Sequence, residues 1–151
     1  MNYKTILNIL AAMLAIIGLS MLFPILVAFI YQESDLSGYF YSMAACFIFA
    51  IPIWLMTRKS RKLSSRDGFA LVTFAWIIVA IAGSLPFYLT GAIPNYTDAW
   101  FEAMSGVTTT GATILGNSDT LPNLSNGIES LPKGILFWRS FLQWIGGMGI
   151  I

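Results

Sequence analysis

Histidine is absent from these 151 residues, and cysteine occurs once, at Cys46. Without an imidazole the chain lacks the commonest general base and metal ligand. A single thiol forms no internal disulfide, and Cys46, set in an apolar run, reads as inert packing. Charge is equally scarce. Lysine and arginine number 8, aspartate and glutamate 7, and together they make up 10% of the chain, against about 25% in an ordinary soluble domain. The net charge of +1 offers a nucleic acid no electrostatic attraction. There is no cluster of carboxylates suited to acid–base work, so the chain is not expected to be an enzyme and no catalytic residue is assigned.

What the sequence has instead is hydrophobicity. Apolar residues make up 57% of the chain and fall in blocks long enough to cross a bilayer, for which a helix needs about 20 residues. The first block covers residues 5–31, despite Pro24. It follows Lys4, as a signal peptide would, but it is too long for an h-region and no cleavage site follows it. A polar link, QESDLSG, carries Glu33 and Asp35. The second block covers 39–56. Next comes TRKSRKLSSRD, which holds Arg58, Lys59, Arg61, Lys62 and Arg66, five of the eight basic residues. Cytoplasmic loops collect lysine and arginine, so the N-terminus and this stretch are expected inside and Glu33 and Asp35 outside. A third helix is expected over about 67–90, with Ser65 as a candidate cap, Asp67 and Gly68 in its first turn, and Pro86 near its outer end.

The next segment breaks the pattern. Residues 91–134 are too polar to cross as a plain helix, yet 99–107 form an apolar core. Asn95 or Thr97 can cap a helix there, and Asp98 and Glu102 suit its N-terminal half through the helix dipole. About ten helical residues give roughly 15 Å, half the hydrocarbon thickness. The pattern predicts a re-entrant half-helix over about 97–107, a loop over 108–113, an extracellular connection over 114–133, and the start of a further membrane helix over 134–151.

The loop between these helices reads MSGVTTTGAT. Irregular backbone at membrane depth is tolerated only where protein buries it or where it lines a water-filled path. With several copies around an axis, such a loop can turn its carbonyl oxygens inward to replace the hydration shell of a cation. The threonines and alanine are small, and Gly111 accepts backbone angles that other residues resist. The preceding half-helix would point its negative end at the ion. A loop with no carboxylate suits a stripped monovalent cation better than a divalent one. The plain alternative is a polar turn between helices. A phosphate-binding loop is rejected because no lysine follows Gly111.

SGVTTTGAT, followed by LPKGILFWRSFLQWIGGMGII, resembles the first pore repeat of the Trk/Ktr/HKT potassium transporter superfamily, and most closely the transmembrane subunit of the bacterial Trk type. SRDGFALV and GSLPF in the third helix fit the same resemblance, which covers essentially the whole chain. It implies an all-α membrane protein: two N-terminal transmembrane helices (residues 1–64), then one helix–half-helix–helix unit (residues 65–151) whose last helix is truncated. It implies potassium uptake across the bacterial inner membrane through a filter of backbone carbonyls. Gly111 matches the central filter glycine. Thr109, Thr110, Gly111 and Ala112 match the ion-coordinating positions, with potassium held at the first three. Thr108, Thr113, Glu102 and Arg139 are then filter supports. The resemblance also implies three further repeats, a homodimer, and a cytoplasmic nucleotide-binding regulatory subunit of the TrkA type. No cofactor is expected apart from potassium itself. Only one repeat is present here, so the chain is expected to be the N-terminal portion of a longer protein. The link at 116–130 is longer than usual in the family and is expected to shape the outer mouth.

Arg139 lies in an apolar helix, where a charge is a functional candidate by default. It can pair with Glu102 or Asp98 behind the filter, or snorkel to the outer interface. Gln143, four residues on, shares its face. GGMG (residues 146–149) permits close helix packing or a bend away from the pore. Trp100, Trp138 and Trp144 are expected at interfaces or against the half-helix. A rival reading is a small four-helix membrane anchor or assembly subunit with no pore.

Overall fold

The computed structural model describes residues 3–57, 65–115 and 128–148. Its elements are α1 (Tyr3–Ser20), α2 (Leu22–Ile30), α3 (Leu36–Thr57), α4 (Ser65–Leu89), α5 (Tyr96–Val107), a single 3-10 turn (Ile128–Ser130) and α6 (Lys133–Gly147). The described residues are all helical or irregular, with no strand among them. The basic stretch 58–64, residues 116–127 of the expected outer connection and the end of the last expected helix, 149–151, lie outside the described residues.

Among the described residues three helical spans are long and apolar enough to cross a membrane: Tyr3–Ile30, Leu36–Thr57 and Asp67–Leu89. The first is interrupted. Pro24 has no N–H to give the Ser20 carbonyl, and its ring collides with that turn. The helix therefore tightens at Met21, whose N–H reaches the Gly18 carbonyl at 3.3 Å, and resumes as α2. Pro52 and Pro86 lie within continuous helices. The Pro86 carbonyl accepts both the N–H and the hydroxyl of Thr90 near the end of α4.

α2 ends in a Schellman motif. Gln32 takes the left-handed conformation at φ 55°, its N–H bonds the Phe29 carbonyl and the Glu33 N–H bonds the Ala28 carbonyl. The chain thereby turns sharply into α3.

α1 packs along α3 and α4, α5 lies against α4, and α6 is held between α5 and α2. One apolar cluster joins these elements through Met21, Tyr39, Phe87, Ile93, Trp138 and Leu142, all fully buried. Cys46 is buried in the same cluster as a free thiol. Trp138 also bridges helices, its indole N–H donating to the Gly83 carbonyl of α4 at 2.9 Å. Trp144, by contrast, is exposed. Many large apolar side chains of α1–α4 face outward, among them Phe29, Ile48, Phe49 and Phe69, as suits surfaces whose solvent is hydrocarbon.

Candidate functional site

Between α5 and residue 115 the chain abandons helical geometry at the TTTGAT stretch. α5 begins at a cap supplied by Asn95, whose side-chain oxygen accepts the Thr97 N–H at 3.1 Å, and Asp98 sits in its first turn. It is 12 residues long, about 18 Å at the usual rise. Its last carbonyls are taken up by the loop that follows. Met104 O accepts Thr108 N–H at 2.9 Å, Gly106 O accepts Thr109 N–H at 2.9 Å, and Ser105 O accepts Thr110 N–H at 3.1 Å. The loop is thus folded back onto the negative end of the helix.

Two residues of this loop are left-handed, Thr109 at φ 56° and Gly111 at φ 75°. For glycine that conformation is free of side-chain clash. For a β-branched threonine it is rare and strained, so the surrounding bonds must hold it. Left-handed residues here alternate with residues of negative φ, so the loop follows neither helix nor strand geometry. Among the described residues no donor reaches the carbonyl oxygens of Thr109, Thr110 or Gly111. The Ala112 carbonyl is different, since it accepts the Ser105 hydroxyl at 2.6 Å. Thr108 to Thr113 are all exposed on this chain.

Behind the loop stands a buried carboxylate. Glu102 projects from the middle of α5 and is 1% exposed. Its two oxygens take three donors: the Thr113 hydroxyl at 3.0–3.1 Å, the Ile114 N–H at 3.2 Å, and Arg139 Nε of α6. Thr113 passes the contact on by accepting the Leu115 N–H at 3.1 Å. Arg139 therefore pairs with Glu102 rather than Asp98, and its side chain is only 23% exposed, so it is not snorkelling into bulk solvent. Thr108 braces the near side, donating to Met104 O at 2.8 Å and lying 2.8 Å from the Thr110 hydroxyl.

α6 approaches the loop closely at its far end. A Cβ at Gly146 would lie 1.9 Å from the Val107 carbonyl oxygen, and one at Gly106 would lie 3.3 Å from Leu142 Cβ. The first of these glycines belongs to GGMG and serves close packing. The Gln143 amide lies 4.0 Å from where a Gly111 Cβ would stand. Sequence reasoning missed the Ser105 tie to Ala112. Its only trace was a serine two residues before the end of α5.

Residues 35–151 match the TrkH family, described as a cation transport protein. The chain belongs to this family. It is 39% identical over its full length to a Trk system potassium uptake protein TrkH of Vibrio parahaemolyticus and 37% identical to that of Escherichia coli K12. It is also 37% identical over 99% of its length to an uncharacterized cation transporter of Methanocaldococcus jannaschii. A crystal structure of the potassium transporter TrkH from Vibrio parahaemolyticus superposes with a TM-score of 0.84 over 99% of this chain, at 38% identity. The chain spans about 30% of the length of these TrkH relatives. A TrkH-family chain with three helices able to cross a membrane is a multi-pass membrane protein.

Proposed function

We propose that this chain supplies two N-terminal helices and one pore unit of a potassium uptake transporter in the bacterial inner membrane. The observation that carries the reading is the loop itself. Three successive carbonyls, those of Thr109, Thr110 and Gly111, have no internal donor among the described residues, on a backbone that alternates in handedness. These oxygens are exposed on this chain, so they are free to coordinate, and when several such strands meet their carbonyls can replace the hydration shell of a cation. The proposed ligands are those three oxygens, with Ala112, whose carbonyl already accepts from Ser105, at the edge of the set. One strand is a fraction of a coordination cage, so the exposed loop face is where further pore units would stand. Relatives named as potassium uptake proteins favour potassium as the cargo.

In this reading α4, α5 and α6 are the outer helix, the re-entrant pore helix and the inner helix. The N-terminus and the basic stretch face the cytoplasm, and residues 114–133 face outside. Glu102, Arg139, Thr113 and Thr108 hold the filter from behind without touching the ion. The intact transporter works as a homodimer with a cytoplasmic nucleotide-binding subunit of the TrkA type.

Gly111→Ser in the intact transporter tests the assignment. A Cβ at φ 75° forces the strand to shift, and the ratio of potassium to sodium uptake is expected to fall. An unchanged ratio refutes the filter. Cysteines placed at Thr120 and Lys133 separate this reading from a four-helix anchor, since both should react with an impermeant reagent from outside only if α5 is re-entrant.

A further inference from the structure

We infer that Glu33, in the link between α2 and α3, is a positioning residue for the filter, and that through it the N-terminal helix pair sets the height of α6. α6 starts after Pro132, whose side chain gives the helix no cap. The first N–H groups of a helix need an acceptor, and Glu33 provides it from 100 residues away. One carboxylate oxygen takes the Lys133 N–H and the other takes the Gly134 N–H, the latter at 3.1 Å. A carboxylate on two N-terminal amides also satisfies the helix dipole.

The contact is built on both sides. The Schellman motif at Gln32 fixes the direction in which Glu33 leaves α2. Around Gly134 there is no slack: a Cβ there would lie 2.6 Å from the Tyr39 hydroxyl, 3.1 Å from Ala28 Cβ and 3.2 Å from Glu33 Oε2. The N-terminus of α6 is thus seated in a socket formed by α2 and α3. Arg139 lies further along the same helix and holds Glu102, which holds Thr113 and Ile114. A helix is stiff along its axis, so releasing its seated end lets Arg139 slide relative to Glu102. This role rests on the filter reading above and extends it to a residue outside the pore unit.

The test is the potassium-to-sodium uptake ratio of the intact transporter, which does not depend on how much protein reaches the membrane. Glu33→Ala should lower the ratio by about ten-fold, a differential barrier change of about 1.4 kcal/mol, and Glu33→Gln, which keeps the size and one good acceptor, should lower it less. Because Glu33 acts through Arg139, adding Glu33→Ala to Arg139→Leu should change the ratio no more than about two-fold further, since coupled sites are not additive. Gly111→Ser is measured alongside. If it shifts the ratio while both Glu33 variants leave it alone, the positioning role is wrong and the filter stands; if it too has no effect, both fall. Fully multiplicative effects of Glu33→Ala and Arg139→Leu overturn the role as well. So does failure of both Glu33 variants to reach the membrane, which would make Glu33 a folding residue only.

Discussion

The N-terminal helices α1–α3 and the unit α4–α6 share one apolar cluster but are held together differently. α1 and α3 meet through apolar side chains and close small-residue contacts, such as Gly18 against Cys46. Their polar links are few and peripheral, for example the Asn8 amide on the Thr57 hydroxyl at 3.1 Å. In α4–α6 a buried carboxylate, a guanidinium, two hydroxyls and several amides converge on one short loop. Apolar packing in a membrane is forgiving, because lipid offers nearly the same environment. A buried polar network is not, because each member left unpaired is penalised. The second region is therefore where single substitutions should matter most.

The largest effect is expected from Arg139→Leu. It leaves the buried Glu102 carboxylate with a missing cation, a loss of about 3–5 kcal/mol for a buried pair, toward the lower end because Arg139 is partly exposed. Thermal unfolding of the purified transporter should show the drop, together with reduced potassium preference in uptake. Next is Gly146→Ala. Its methyl would overlap the Val107 carbonyl, and overpacking of this kind costs about 1–3 kcal/mol, read as lower thermal stability with a displaced α6. Gly111→Ser strains the backbone by about 1–2 kcal/mol and should show more in ion preference than in melting temperature. Trp138→Phe removes one interhelical bond to Gly83 and leaves a gap where the indole was fully buried, and should cost about 1–2 kcal/mol. On the other side of the comparison, Cys46→Ala in the α1–α3 contact should leave potassium preference unchanged in the same uptake measurement. A selectivity change there as large as that of Arg139→Leu would erase the distinction between the two regions.

Local chemistry was legible in the sequence, and long-range chemistry was not. The cap at Asn95 and the length of the short helix follow from residues within a few positions of each other. The pairing of Arg139 with an acid of α5 was only one of two open readings, the other being snorkelling to the outer interface, and sequence alone left Glu102 and Asp98 open as partners. α5 decides it: Asp98 sits in the first turn at the helix start, whereas Glu102 is a turn further on and faces α6. The interruption at Met21 was not foreseen, since a proline in an apolar run can be absorbed, as Pro52 and Pro86 are. Glu33 looked like part of a solvated link. Nothing in its neighbourhood signals a helix start 100 residues later, and only the absence of a capping side chain at Pro132 hinted that an acceptor had to come from elsewhere. The break from helical geometry over Thr109 to Ala112 was suggested by Gly111 alone; the left-handed Thr109 is a departure from residue preference that no propensity would reveal.

Anomalous diffraction from crystals of the intact transporter soaked in thallium, a heavy stand-in for potassium, addresses the central claim most directly. A peak within coordinating distance of the Thr109, Thr110 and Gly111 carbonyl oxygens is the predicted result. Strong thallium sites elsewhere along the pore, with none at these oxygens, would contradict it.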